Sequence, residues 1–137
     1  SIIALGLGVA LSGVQLTGVA GASLQSGNRS QPSAVDGKAM FDTYCTSCHG
    51  KDAKGDGPAA PALKTKPADL TRISARNGGT FPTDKVRRFI AGRESVAGHG
   101  TREMPVWGGL FADIDRDGEM ATIRIANIAD YLRSIQK

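Results

Sequence analysis

The chain contains two cysteines, and only two residues separate them. The run that holds them reads Cys45-Thr46-Ser47-Cys48-His49. A disulfide between residues this close would close a very small loop and would restrain little of the unfolded chain. A Cys-x-x-Cys pair is more often a metal, redox or prosthetic-group site, and the residue after the second cysteine decides among them. Here that residue is a histidine, which favours a prosthetic-group site.

The pattern Cys-x-x-Cys-His is the attachment signature of a c-type haem. Two thiols at this spacing reach both vinyl groups on one edge of the porphyrin, and the next residue brings an imidazole to the iron. A thioredoxin-like redox pair is expected in a βαβ context, which this sequence lacks. A zinc site needs four ligands, yet the histidines are only His49 and His99, fifty positions apart. The motif therefore predicts one covalent haem c on Cys45 and Cys48, with His49 on the iron.

The composition agrees with a core that a prosthetic group completes. Eighteen residues are glycine, and the aromatic residues are four phenylalanines, two tyrosines and one tryptophan. A chain with so few large side chains builds a thin core, which a large apolar group would help to fill. The net charge of +4 and the pI near 9.3 suit an acidic partner protein. Nucleic acid is not an expected partner, because the basic residues are scattered and do not alternate with aromatic ones.

The first 22 residues differ in character from the rest. Residues 2–22 contain no charge, residues 2–14 are strongly apolar, and Ala20-Gly21-Ala22 is a small-residue cleavage pattern. These features predict the later part of a secretory signal peptide. About 20 uncharged residues are also long enough to span a bilayer as a helical anchor. Both interpretations stay open, and both predict a periplasmic or other extracytoplasmic location, either free or tethered to the membrane.

The remaining chain divides into a linker and one domain. Residues 23–34 are polar and contain glycine and proline, which predicts a flexible linker before a domain at 35–137. Apolar residues in the domain recur at helical spacing, and no stretch alternates like a strand. The predicted helices are one capped by Asp36 and running to Tyr44, a short one capped by Asp69, one from Thr83 to Gly92, and one starting near Met120. Segments 49–66 and 98–109 are predicted loops.

An electron-transferring haem needs a second axial ligand, and four side chains are candidates. Met40 and Met120 fall on predicted helices, where packing in the core is the expected role. Met104 stands in a loop beside Pro105, and a loop can fold over the haem face and present its thioether there. Met104 is therefore the predicted sixth ligand, with His99 or an open position as alternatives. Histidine–methionine ligation raises the reduction potential relative to ligation by two histidines. Two filled axial positions leave the iron no place for a substrate.

These residues resemble the class I cytochrome c family. The resemblance covers roughly residues 35–136. Its elements are Gly37-x-x-x-Phe41, Cys-Thr-Ser-Cys-His-Gly at 45–50, Met104-Pro105-x-Trp107 and the run at 131–135. It implies an all-α fold of four to five helices with long loops wrapped around one covalent haem. It also implies that the first and last helices cross, with Gly37 and Phe41 meeting Tyr131.

The resemblance implies further site residues. In the family, a carbonyl beside a proline accepts the second imidazole N–H, and segment 57–63 is expected to supply it through Pro58 or Pro61. The stretch 66–79 is expected to wrap the haem edge. Trp107 and Arg102 are candidates for the haem propionates, while core packing and a solvated surface are their alternative roles.

One further pattern is rejected. Residues 113–118 read like the opening of a calcium loop. That pattern needs a glutamate at position 124, where this chain has Arg124. An acidic turn before the last helix is the expected structure instead.

The expected function is single-electron transfer by a monohaem cytochrome on the extracytoplasmic side. Expected partners are membrane redox complexes such as an oxidase, a reductase, a quinol-oxidising complex or a photosynthetic reaction centre. The protein would be a carrier or a tethered subunit of such a complex, and membrane association would run through residues 2–22. An electron carrier is expected rather than an enzyme. The alternative is a haem enzyme or gas sensor with an open or labile sixth iron position.

Overall fold

The computed structural model describes residues 31–94 and 104–137. These two stretches contain helices and loops and no strand. The α-helices are α1 (Gly37–Tyr44), α2 (Thr46–His49), α3 (Ile73–Arg76), α4 (Thr83–Ala91), α5 (Trp107–Asp115) and α6 (Gly118–Ser134). Short 3₁₀ turns lie at Ala60–Ala62 and Leu70–Arg72. The all-α expectation is confirmed; α2 and α3 are single turns of four residues each.

The predicted signal peptide or anchor, residues 1–22, lies outside the described residues, as does the linker up to residue 30. In the stretches 31–94 and 104–137, every helix is too short or too polar to cross a membrane.

Local capping chemistry sets the ends of the predicted helices. Asp36 accepts a hydrogen bond from the Ala39 N–H (2.8 Å) and starts α1, as the sequence predicted. Asp117 accepts from the Glu119 N–H (2.8 Å) and starts α6. Gly92 ends α4 in the left-handed region, at φ 76°.

Helix α5 was not predicted. Residues 98–109 were predicted to form a loop, and that prediction is wrong from Trp107 onwards. Two consecutive glycines are poor helix formers, so the local signal is weak. Gly108 nevertheless packs closely on α4, where a β-carbon would lie 2.8 Å from the Ala91 carbonyl oxygen. Close packing between α4 and α5 therefore explains both the glycine and the helix.

Helix α6 is the centre of the core. Helices α1, α4 and α5 all pack against it. The buried apolar side chains of these four helices are Met40 and Phe41 on α1, Val86 and Ile90 on α4, Phe111 on α5, and Ala121, Ile125, Ile128, Ala129 and Leu132 on α6. The apolar residues of α6 recur at helical spacing, as the sequence predicted, and this face contacts the other three helices.

Helices α1 and α6 cross at a glycine. A β-carbon on Gly37 would overlap the carbonyl oxygen of Asn127, so only glycine permits this approach of two backbones. Phe41 and Tyr131 meet beside the crossing, with ring centroids 5.3 Å apart. The crossing that the family resemblance implied is therefore present.

Replacing Gly37 by alanine is expected to destabilise the protein by about 3 kcal/mol, because the added methyl group meets backbone that cannot rotate away. The matched control is Gly109→Ala in α5, where a β-carbon would enter open space. That change should stabilise by roughly 1 kcal/mol through helix propensity. Urea unfolding of both variants measures the difference, and equal stabilities would contradict the crossing.

The segment before α1 is bound to the domain. We call residues 31–36 the lead-in segment. Arg124 Nη1 donates to the carbonyl of Pro32 (3.0 Å), and Asn127 Nδ2 donates to the carbonyl of Ala34 (2.9 Å). The Tyr44 hydroxyl hydrogen-bonds to the side-chain oxygen of Gln31. Residues 31–34 were predicted as flexible linker; their bonds to α1 and α6 make them part of the folded domain.

Arg124, the residue that breaks the calcium pattern, forms an ion pair in which the arginine is buried and the aspartate is partly exposed. Its Nε and Nη2 donate to the two carboxylate oxygens of Asp115 at 2.7 and 2.9 Å. The Arg124 side chain is only 6% exposed. This bidentate pair joins the end of α5 to α6. The acidic turn expected at 113–118 is only partly present: residues 113–115 belong to α5, residues 116–117 connect the helices, and α6 begins at Gly118.

Asp115 is expected to make the free energy of unfolding depend on pH in the acid range. The hydrogen bond from Arg124 lowers the pKa of the Asp115 carboxyl below its ordinary value. Its stabilising contribution is therefore present above about pH 4, and it is lost as pH falls through the lower pKa of the folded state. Asp115→Asn should weaken the protein at pH 7 and flatten its loss of stability below pH 4. Urea unfolding from pH 7 to 3 tests this, with exposed Asp113→Asn as the control.

The carboxyl-terminal residues hold a distant loop. The Gln136 side chain donates to the carbonyl of Leu70 (2.8 Å) and accepts from the N–H of Ser74 (2.9 Å). The Lys137 N–H donates to the carbonyl of Thr71 (2.9 Å). The segment from 69 to 74 is therefore fixed against the end of α6.

Candidate haem-binding site

The Cys-x-x-Cys-His motif forms one tight helical turn. Cys45 ends α1 by donating its N–H to the carbonyl of Phe41 (2.9 Å), and the His49 N–H donates to the carbonyl of Cys45 (2.9 Å). Residues three and four apart on a helix share one face. Both cysteines and His49 accordingly line the same cavity. The two sulfurs do not form a disulfide with each other.

The cavity has a volume of about 730 Å³, within the range of small-molecule and cofactor sites. Its wall is mainly apolar and is formed by residues of all six described α-helices and of the loop at 63–68. The lining includes Phe41, Ile73, Val86, Phe89, Ile128 and Leu132. A large flat apolar group suits such a wall, because it would complete the thin core that the composition predicted.

His49 is held in one orientation. Its Nδ1 lies 3.2 Å from the carbonyl oxygen of Ala68. A carbonyl can only accept, so Nδ1 carries the proton and Nε2 keeps a free lone pair. Burial lowers the pKa of His49, and the bond to Ala68 opposes this only in part. The neutral imidazole is the form that ligates a metal.

The predicted proline segment does not supply this carbonyl. Segment 57–63 packs against the backbone of the motif instead: the Gly57 N–H donates to the carbonyl of Cys48 (3.1 Å), and the Ala59 N–H to that of Ser47 (2.8 Å). Neither Pro58 nor Pro61 is among the described residues that line the cavity. The prediction of Pro58 or Pro61 is therefore wrong.

The stretch that was predicted to wrap the haem edge provides the carbonyl. Ala68 follows Pro67, and both residues line the cavity. Gly55, at φ 77°, lies so close to Pro67 that a β-carbon would overlap the Pro67 carbonyl. This contact fixes the stretch against the loop that follows His49, which explains why a residue nineteen positions away orients the ring.

The thiols lie in an apolar setting. Burial raises the pKa of the Cys45 thiol to about 12, and the neighbouring Cys48 adds to the rise. An uncharged sulfur is therefore favoured at this position. A thioether is also uncharged, so covalent attachment would place no charge in the apolar wall.

Of the three methionines, all of which the structure describes, Met104 alone lines the cavity. Met40 is fully buried in the core, with its sulfur 3.7 Å from Arg124 Nη1. Met120 lies in the first turn of α6, outside the lining. The other candidate ligand, His99, lies outside the described residues.

Trp107 is part of an aromatic stack at the cavity wall. Its ring lies 5.9 Å from that of Phe111 and 5.6 Å from that of Tyr44, centroid to centroid. The packing role that the sequence analysis gave as an alternative is therefore present, and Trp107 also lines the cavity. Arg102, the second propionate candidate, lies outside the described residues.

Cationic residues also line the cavity: two of them lie in the stretch 66–79 that was expected to wrap the haem edge, and Lys85 on α4 was not predicted. Lys66, Arg76 and Lys85 all contribute to the cavity wall. Arg76 also donates to the carbonyl of Asp69 (2.7 Å), which holds its side chain in place. No sequence signal distinguishes Arg76 and Lys85 from ordinary surface cations, because only the fold brings them to the cavity.

A zinc site finds no support in the described residues: in 31–94 and 104–137, no three His, Cys, Asp or Glu side chains converge on a common point.

The family of this chain follows from a comparison with models of known protein families. A family model described as Cytochrome c matches residues 34–136. This chain belongs to the cytochrome c family. No match was found among curated proteins or among solved structures.

Membership in the cytochrome c family implies a covalently bound haem c with iron. The residues present fit that group. The cavity is mainly apolar and large enough for a cofactor, and its wall holds two cysteines and a neutral imidazole. Lysine and arginine side chains in the same wall suit the carboxylates of the haem propionates. Cys45 and Cys48 would hold the porphyrin, and His49 would bind its iron. The bound haem would supply reversible one-electron chemistry.

Proposed function

We propose that this cytochrome c family member passes single electrons between membrane redox complexes on the extracytoplasmic side, with His49 and Met104 as the axial ligands of its iron. Family membership already supports a haem-based electron carrier. The observation that carries the finer proposal is the position of Met104 in the same cavity wall as Cys45, Cys48 and His49. Two protein ligands leave the iron no site for a substrate.

The chain's own residues favour transfer over catalysis. The cavity wall is mainly apolar, and the bond from His49 to Ala68 holds the imidazole in one tautomer. A rigid ligand set changes little between oxidation states, so little reorganisation accompanies transfer. The net charge of +4 and the exposed Lys51 and Lys54 beside the attachment loop suit an acidic redox partner.

A visible spectrum tests the ligand pair. The oxidised protein should have a weak band at roughly 695 nm, which is characteristic of iron bound to methionine sulfur. The reduced protein should not bind carbon monoxide. Rapid carbon monoxide binding without the band would instead favour the haem enzyme or gas sensor.

The location needs a separate experiment. The uncharged residues 2–22 support export and a membrane tether. Purification from native membranes, followed by mass measurement, would reveal whether these residues remain. Co-purifying redox subunits would support the proposed partners, whereas recovery only from the cytoplasm would refute the location.

A further inference from the structure

Arg124 joins three parts of the chain at one buried point. Its guanidinium donates to both carboxylate oxygens of Asp115 at the end of α5. The same group donates from Nη1 to the carbonyl of Pro32 in the lead-in segment. Because Arg124 itself belongs to α6, one side chain fixes two other elements against that helix.

A line of contacts runs from this point to the cavity. The Arg124 guanidinium carbon lies 6.0 Å from the centroid of Phe111, which is fully buried one turn before Asp115. The Phe111 ring lies 5.9 Å from that of Trp107, the first residue of α5. Met104 stands three positions before Trp107. The placement of α5 therefore determines where the segment that carries Met104 ends.

The lead-in segment shares these contacts. Tyr44 contacts the Phe111 ring at 5.1 Å and hydrogen-bonds to Gln31 through its hydroxyl. Asn127, one turn after Arg124, binds the carbonyl of Ala34 (2.9 Å). The segment that precedes the domain and the helix that follows Met104 are thus held by the same cluster.

We propose that Arg124 is a positioning residue for Met104. It clamps α5 to the lead-in segment, so that docking of this segment and retention of Met104 on the iron stabilise each other. This inference rests on the proposed role of Met104 as an axial ligand. Coupling between two sites is reciprocal, so loosening either end of the clamp must loosen the other.

The main test is Arg124→Lys in the full-length, haem-loaded protein. Lysine keeps the charge but cannot make the bidentate pair and the third bond at once. Imidazole can bind the oxidised iron only after Met104 leaves, so its binding should become about tenfold faster, the factor expected for one lost charge-assisted hydrogen bond. Exchange of the Asp36 amide, which donates to the carbonyl of Ser33 (3.0 Å), should accelerate by a similar factor.

Two controls separate positioning from general stability. Arg133→Lys changes an exposed arginine on the same helix, paired with Asp130, and should leave both rates unchanged. Ile125→Val removes a methylene from the buried face of α6 and lowers global stability without touching the clamp. If Ile125→Val accelerates imidazole binding as much as Arg124→Lys does, Arg124 has no special role and the proposal is overturned.

Reciprocity supplies the second test, which also serves if Arg124→Lys fails to fold. Asn127→Ala removes a bond to the lead-in segment and should accelerate imidazole binding severalfold. Asp115→Asn weakens the clamp at α5 and should accelerate amide exchange in the lead-in segment. If each change affects only its own end, the coupling is absent and the proposal fails.

The outcomes distinguish this proposal from the proposed function. Faster exchange in Arg124→Lys, with imidazole binding unchanged, would overturn the positioning role and leave the ligation by Met104 intact. A wild-type protein without the 695 nm band would remove Met104 from the iron, and the positioning role would fall with it. Faster exchange and faster imidazole binding together, absent from both controls, support the inference.

Discussion

Replacing Cys45 and Cys48 together by alanine is expected to abolish covalent haem attachment completely. The two thiols line the cavity on one face of a single helical turn, and family membership implies a covalent haem there. The mass of the variant should equal that of the polypeptide alone. Each single variant should retain one thioether and therefore keep its haem under denaturing conditions.

The same double variant should lose much of its stability. The attached haem is also present on the unfolded chain, but only the folded state buries it in the apolar cavity, so its loss should cost about 4 kcal/mol, in the range for removing a large apolar group from a core. Without the haem, the apolar wall of a cavity of about 730 Å³ faces no partner. Ser47→Ala is the matched control, because it changes a residue between the two cysteines and leaves both thiols in place. A double variant that kept the full haem mass would refute the attachment site.

Met104→Ala is expected to lower the reduction potential by about 0.1 to 0.3 V, a fraction of the ~0.8 V range that axial ligands control. Thioether sulfur favours the reduced iron, so its loss favours the oxidised state. The band at roughly 695 nm should disappear, and the reduced variant should bind carbon monoxide. Voltammetry and visible spectroscopy measure these effects.

Met120→Ala is the control for that variant. Met120 is also a partly buried methionine, but it lies in the first turn of α6 and outside the cavity lining. Its replacement should leave the potential and the spectrum unchanged. An unchanged potential in Met104→Ala would identify a different sixth ligand or an open position.

Helices with strong local signals could be predicted from the sequence. Asp36 and Gly92 mark a beginning and an end through backbone chemistry that acts over a few residues. Helix α5 could not be predicted, because its glycine pair opposes a helix locally. Its stability depends on the contact of Gly108 with Ala91, which no local pattern records.

The haem site divides in the same way. The attachment motif is contiguous, so Cys45, Cys48 and His49 could be assigned from spacing alone. The carbonyl that orients His49 comes from Ala68, whereas the prediction named Pro58 or Pro61, which are nearer in sequence. Arg124 was recognised only as a residue that breaks a calcium pattern, because its pairing with Asp115 and Pro32 depends on the fold.

The bonds from Gln136 to the loop at 70–74 have a consequence for the order of assembly. The turn that presents both thiols is closed by contacts within five residues and can form as soon as that stretch of chain exists. The loop that aims the imidazole is secured by a side chain more than sixty positions later, and such distant closures are slow. The sulfurs are thus available for coupling before the iron-binding nitrogen acquires its final direction.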